Sequence, residues 1–229
     1  MPAADAQNVA IEVAGHGRVS GLLHKPASAR ACYVLAHGAG AGMAHPFMTA
    51  VATGLAERGI ASLRYQFLYM EQKSRRPDPP KLAQVTVRAA VAEAQRLMPK
   101  LPLFAGGKSF GGRMTSGAQA SDPLAGVLGL VFLGFPLHPA GQPGQERAAH
   151  LSDIGIPMLF LQGTRDMLAE LDQLEPVVKS LGKKATLKLF DQADHSFHVP
   201  AKSGRKDGEV MSEMLDMMAA WIDKVIAKA

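Results

Sequence analysis

The sequence predicts a mostly parallel β-sheet covered by helices on both faces, folded as one domain over residues 1–229. Three observations point there. Short apolar runs of strand length alternate with longer stretches of helical periodicity, the rhythm of an α/β protein. Several of those runs are apolar at every position, as strands are when both faces of the sheet are covered. Finally, 229 residues with 47% hydrophobic and 20% charged side chains can bury one large core, with no disulfide or metal needed to hold it.

The elements follow in order. Val9–Val13 and Arg18–His24, parted by Gly15-His16-Gly17, read as an antiparallel hairpin. Ala31–Ala36 is a continuous apolar run, hence a strand buried on both faces, and it ends in the small-residue loop His37-Gly-Ala-Gly-Ala-Gly42. A helix is predicted near Phe47–Arg58, stopped at Gly59. Ile60–Tyr65 is the next strand, and the proline-rich, basic stretch Glu71–Pro80 is a surface loop. A helix over Lys81–Met98 closes at Pro99, followed by a strand at Leu101–Ala105 and a helix over Phe110–Ala120. Val127–Leu133 is a buried strand, Gly134–Gly144 a loop, and Met158–Leu161 and Ala185–Leu189 the last strands, with a helix near Leu168–Leu181 between them. Glu209–Ala227 closes the chain as an amphipathic helix whose methionine stripe and Trp221 read as core packing.

Composition restricts the setting. The only cysteine, Cys32, sits in an apolar run, so no intrachain disulfide can form and a small buried hydrophobe is expected. The segment Met1–Asn8 has neither a basic n-region nor an apolar h-region, and the most apolar stretch, Leu124–Leu137, is shorter than the ~20 residues a spanning helix needs. Cytoplasmic location and no membrane association are therefore expected. The net charge of +5 raises the question of nucleic acid. Its lysines and arginines are scattered, however, apart from Lys73–Arg76 and Lys179–Lys184, which fits solvated charge or a basic rim attracting anionic substrates rather than nucleic-acid binding.

The chemistry concentrates where the strand ending near Ala105 meets the following helix. Gly107-Lys108-Ser109-Phe110-Gly111 matches G-x-S-x-G, a sharp strand-to-helix turn that holds its serine in a strained conformation and points the hydroxyl outwards. Positions two before and two after the serine crowd neighbouring elements, so they must be nearly free of side chain. Gly107-Lys-Ser109 also resembles the end of a phosphate-binding P-loop, but position 102 of that motif is proline here and residues 103–106 are still partly strand.

A neutral hydroxyl is a poor nucleophile, so Ser109 needs a base, and that base needs an acid to fix its tautomer. The order for such a turn is Ser, then Asp or Glu, then His. His195 comes a short loop after the last strand and is the expected base, with His198 the alternative. Asp166 follows the penultimate strand and is the expected acid, its competing role being a helix N-cap before Met167-Leu168. Asp194 adjoins His195 in sequence, and neighbours in an extended loop point apart. The backbone amides of Phe110 and of Ala39, with Gly40 the alternative, are expected to stabilise the oxyanion. His37 reads as a structural hydrogen-bonder. No metal-ligand cluster or dinucleotide fingerprint is present in the sequence, so no cofactor and no metal are expected.

With these residues in place, the chain resembles the α/β-hydrolase superfamily over nearly its whole length. Gly106-Gly-Lys-Ser-Phe-Gly-Gly-Arg113, His37-Gly-Ala-Gly-Ala41 and Gln162-Gly-Thr-Arg-Asp166 are similar to uncharacterised bacterial hydrolases related to dienelactone hydrolase, and to hydrolase-fold animal proteins that include scaffold-like members. The resemblance implies a serine hydrolase core with Ser109, Asp166 and His195 acting together. Dienelactone hydrolase itself uses cysteine at the position of Ser109, so its substrate does not carry over. Too few residues separate Gly134 from Ser152 for a cap domain, and an open site bordered by Phe135–Pro143 and Tyr69–Pro80 is expected. The expected reaction is hydrolysis of a small-molecule carboxylic ester or thioester. Amidase, peptidase or acyltransferase chemistry on the same residues, and a hydrolase-shaped interaction protein, are the alternatives.

Overall fold

The strand Ala31–Ala36 is buried along its whole length, and its side chains divide between two cores: Cys32, Val34 and Ala36 enter one, Ala31, Tyr33 and Leu35 the other. Alternation along a strand puts successive residues on opposite faces, so both faces are covered. The computed structural model describes residues 6–229; Met1–Asp5, the head of the segment read above as lacking leader character, lie outside the described residues.

The hairpin β1 (Gln7–Val13) and β2 (Gly17–His24) precedes β3 (Ala31–Ala36), α1 (Pro46–Glu57), β4 (Ile60–Tyr65), α2 (Leu68–Glu71) and α3 (Pro80–Leu97). Next come β5 (Leu103–Lys108), α4 (Phe110–Ser121), β6 (Val127–Leu133) and a 3₁₀ segment at Glu146–Asp153. The chain ends with β7 (Met158–Gly163), α5 (Leu171–Ser180), β8 (Ala185–Phe190) and α6 (Asp207–Ile226). The eight strands form one sheet in the order β1-β2-β4-β3-β5-β6-β7-β8. β1 and β2 pair antiparallel, as do β2 and β4, and every other pairing is parallel. This is the α/β-hydrolase arrangement, with no large cap domain among the described residues.

Helices α1 and α6 pack on one face, through Met48, Val51 and Leu55 from α1 and Met214, Met218 and Ile222 from α6. The other face takes α3, α4 and α5 through residues such as Val87, Met114 and Leu174. Trp221 is buried edge-on against Phe104, their ring centroids 5.9 Å apart. Cys32 is fully buried, and burial pushes its thiol up to about 12, so it stays protonated and inert.

Two boundaries differ from expectation, each for a local reason, and two elements are new. The strand expected at Leu101–Ala105 lies at Leu103–Lys108, because Gly106 and Gly107 continue to pair with β3 and β6. The helix expected from Leu168 begins at Leu171, because the Leu168 carbonyl accepts the amides of Leu137 and His138. The short helix Leu68–Glu71 and the 3₁₀ segment Glu146–Asp153 were not expected at all.

Candidate active site

At the end of β5 the chain turns into α4 within a single residue. Ser109 has φ 50° and ψ −114°, a conformation that L-residues rarely adopt and that stores strain. The glycines around it explain how the turn fits. A Cβ on Gly106 would lie 1.9 Å from the Val131 carbonyl oxygen, and one on Gly107 would lie 2.2 Å from that of Ala36. A Cβ on Gly111 would lie 2.6 Å from the carbonyl oxygens of both Ala36 and His37. Three backbones therefore meet around Ser109 at distances that admit no side chain.

The hydroxyl meets one end of an imidazole. Ser109 Oγ lies 2.9 Å from His195 Nε2, and His195 Nδ1 lies 2.7 Å from Asp166 Oδ2. Asp166 is buried, and its two oxygens divide their work: Oδ2 faces the ring while Oδ1 accepts the Leu168 amide at 2.8 Å. The N-cap-like role weighed for Asp166 and its contact with His195 thus coexist on separate oxygens. Asp166 cannot be the proton donor while ionised, so Nδ1–H donates to it, leaving the Nε2 lone pair to accept from Ser109.

His195 is carried on a loop that is tied to itself. Asp194 Oδ1 accepts the amides of Ser196 at 2.7 Å and His198 at 3.0 Å, so this carboxylate caps its own loop. The exposed His198 bonds Asp207 at the start of α6, Nδ1 to Oδ2 at 2.8 Å, and that bond raises its pKa. From β5, Lys108 Nζ donates to the His195 carbonyl at 2.5 Å. Burial lowers this ammonium to about 8, against the attraction of Asp166 and Asp194.

The loop after β3 approaches from the other side. Ala39 lines the cleft together with Ser109 and Phe110. Gly40 does not offer a free amide, because its N–H donates to the Tyr69 hydroxyl at 2.9 Å. Beneath this loop His37 is fully buried: Nε2 accepts the Phe67 amide at 3.2 Å, and Nδ1–H donates to the Gly38 carbonyl at 2.7 Å. Burial lowers its pKa to about 4, so the ring is neutral and structural.

Above Ser109 lies an open cleft of about 630 Å³. Its walls come from Arg76–Pro80, from Pro136 and Pro139, and from Arg113, Arg147 and Leu168. Both expected borders are present; Arg147 comes from the unexpected 3₁₀ segment. Among the described residues no group of three or more His, Cys, Asp or Glu side chains is placed to hold a metal ion, and no helix is long and apolar enough to cross a membrane.

Two contributors were not singled out from sequence. Gln162, buried in β7, accepts the Phe135 amide on Oε1 at 2.9 Å and donates from Nε2 to Asp166 Oδ2. A polar residue closing an otherwise apolar strand, four positions before Asp166, was the available signal. Lys108, the variable position of the G-x-S-x-G match, had none, because its partner is a distant backbone carbonyl.

Comparison with known proteins gives the same fold. A family model described as an alpha/beta hydrolase domain matches residues 29–223. Among solved structures, an α/β serine hydrolase without a lid from Xanthomonas campestris superposes with a TM-score of 0.75 at 20% identity, covering 95% of each chain. A dienelactone hydrolase from Anabaena variabilis superposes with a TM-score of 0.75 at 20% identity, covering 96% of this chain and 99% of that one. An esterase domain from Rhodothermus marinus gives 0.72 at 15% identity, over 95% and 98% of the two chains.

Proposed function

Because the chain belongs to the alpha/beta hydrolase domain family, we propose that it hydrolyses carboxylic esters or thioesters through an acyl-enzyme, with Ser109 as nucleophile, His195 as base and Asp166 orienting the ring. The observation that carries this reading is the hydrogen-bonded chain from Ser109 Oγ through His195 to Asp166, opening onto a cleft. As Ser109 Oγ attacks the substrate carbonyl carbon, its proton passes to His195 Nε2, and the buried Asp166 carboxylate stabilises the imidazolium. The carbonyl π electrons move onto oxygen, which takes hydrogen bonds from the amides of Phe110 and Ala39. Ala39 is preferred to Gly40 because the Gly40 amide is already given to Tyr69. When the tetrahedral adduct collapses, the leaving oxygen or sulfur takes the proton from Nε2. A water then repeats the sequence on the acyl-Ser109 ester and returns the free acid.

The lidless serine hydrolase and the esterase domain named above are consistent with this chemistry, and the short, capless connection between β6 and β7 suits small or extended substrates. The substrate is a small molecule rather than nucleic acid or membrane lipid, and no cofactor takes part. The reducing cytoplasm fits a chain whose single cysteine is buried as a thiol.

The test is labelling with a fluorophosphonate probe, together with hydrolysis of p-nitrophenyl acetate, butyrate and octanoate. Wild type is expected to label and to cleave at least one ester. Ser109→Ala and His195→Ala should lose turnover by several orders of magnitude, since members of such a unit fail together. A well-folded wild type that neither labels nor cleaves would overturn the proposal and favour an interaction protein of hydrolase shape.

A further inference from the structure

Three arginines from three separate elements line the cleft that holds Ser109: Arg76 from the loop before α3, Arg113 one turn into α4, and Arg147 from the 3₁₀ segment. Among the described residues, none of the three is in an ion pair, whereas Arg30, Arg58, Arg88 and Arg96 elsewhere each hold a carboxylate. Arg113 Nε is buried with no hydrogen-bond partner. Native structures satisfy nearly all such groups, so with no partner holding Nε this guanidinium is free to turn towards an acceptor in the cleft.

Among the described residues, no neighbouring carboxylate pairs with these arginines. Asp78 lines the same cleft, but its Oδ2 accepts the Tyr69 amide at 3.1 Å and it lies within ion-pair distance of none of the three. Glu146 and Asp153 border an adjoining hollow with Arg113, Arg147 and His150, and neither reaches ion-pair distance of an arginine there. His150 bonds Ser116 Oγ at 2.8 Å, and burial followed by the Arg113 charge lowers its pKa. Arg113 and Arg147 line both hollows together, and burial, followed by the charge of Arg147, lowers the Arg113 pKa. Like charges held together without a counter-charge cost stability, and a bound anion would relieve that cost. Guanidinium groups match the paired oxygens of carboxylate or phosphate through their planar forks.

We infer that the substrate carries an anionic group, a carboxylate or a phosphate, seated between Arg113 and Arg147 while its scissile carbonyl meets Ser109, with Arg76 closing the rim. This rests on the hydrolase reading and narrows its substrate class to acidic esters or thioesters.

Three p-nitrophenyl esters of equal chain length provide the test: the glutarate monoester with its free carboxylate, the same ester with that carboxylate methylated, and the ester of 4-phosphonobutyrate. Wild type is expected to prefer an anionic ester to the methylated one by about tenfold or more in kcat/KM, the preference shrinking as salt is added. The anion with the larger ratio identifies the group. Arg113→Gln, and Arg147→Gln if the first variant folds poorly, should bring the ratio down towards one. A wild-type ratio near one, or a ratio that both variants retain, would overturn the inference. Should no ester be cleaved and Ser109 not label, the hydrolase reading fails by itself. Calorimetric titration with glutarate and with 4-phosphonobutyrate then decides: binding weakened about tenfold in Arg113→Gln supports the arginine site, and no binding at millimolar concentration refutes it.

Discussion

At the floor of the cleft Gly106, Gly107 and Gly111 position Ser109 by backbone contact alone, while at the rim Arg76, Arg113 and Arg147 converge from elements with no common local pattern. The floor is over-determined: three backbones fix one residue, and any added atom collides with a carbonyl. The rim is set by long side chains whose charges form no ion pair among the described residues. On the proposed reading, geometry common to every substrate is built from main chain, and selectivity between substrates is left to side chains that the fold can exchange cheaply.

The sharpest way to break that comparison is to add one methyl group at the floor. In Gly106→Ala the new Cβ would sit 1.9 Å from the Val131 carbonyl oxygen, in a residue with φ +149°. β5 cannot move away, because β3 and β6 pair with it on both sides. The expected loss is about 4 kcal/mol or more, in the range reserved for severe core disruption. Arg147→Gln at the rim should stay within about 0.5 kcal/mol of wild type. Urea unfolding of the two variants checks both, and a Gly106→Ala midpoint close to wild type would mean the floor is softer than its contacts imply.

A pH-dependent test reaches the layer just beneath the floor. The fully buried His37 has its pKa lowered by burial from 6.5 to about 4. Its folded value lies below its unfolded value, so between those two points the unfolded chain binds more protons, and stability falls as pH drops. The contribution is whole above about pH 6.5 and is lost by about pH 4, worth about 3 kcal/mol at 1.36 kcal/mol per unit of pKa. Burial of His150 acts in the same direction. His37→Gln, which keeps an acceptor for the Phe67 amide, should flatten that part of the acid limb. Superimposable stability profiles of wild type and variant from pH 7 to 4 would remove His37 from the account.

The floor was also the part most legible in sequence. Gly107-Lys-Ser-Phe-Gly111 specifies a turn by local crowding, and the Ser, Asp, His order follows from which strands end at the same edge, so Ser109, Asp166 and His195 could be named before any coordinates. The structure places their side chains in one hydrogen-bonded chain. The strand cores were legible for a related reason, since a run such as Ala31–Ala36 has no polar position to turn towards water. What stayed hidden depends on pairings across sequence distance. The Gly40 amide is occupied by a tyrosine hydroxyl from the next crossover, and α5 starts late because Leu137 and His138 claim the Leu168 carbonyl. The segment Glu146–Asp153 is eight residues long and buries only Ala148 and Leu151, too short an apolar pattern to mark it as the bearer of Arg147.

Lys108 lies between the two regimes, a side chain of the floor that acts on a distant loop, and it sharpens the comparison with the smallest effect. Its ammonium donates to the His195 carbonyl and lies 5.7 Å from the Phe197 ring centroid, so it ties the His195 loop to β5. It touches neither the cleft nor the reacting atoms, which makes it a positioning residue. Lys108→Met keeps the length of the side chain and removes the donor; kcat should fall about tenfold at pH 7, the worth of one charge-assisted hydrogen bond, with KM little changed. Wild-type Lys108 is charged below about pH 8 and loses its proton above it, so the wild-type rate should also decline on that alkaline side, and the decline should vanish in the methionine variant. Stability behaves in the opposite sense. Burial disfavours the charged form, so the lysine weakens the fold below about pH 8 and the penalty fades towards the unfolded value of 10.5. Lys108→Met should therefore lose activity without losing stability at neutral pH. A variant whose kcat stays within twofold of wild type, with the same alkaline decline, would show that the His195 loop is held by Asp194 and its own amides alone.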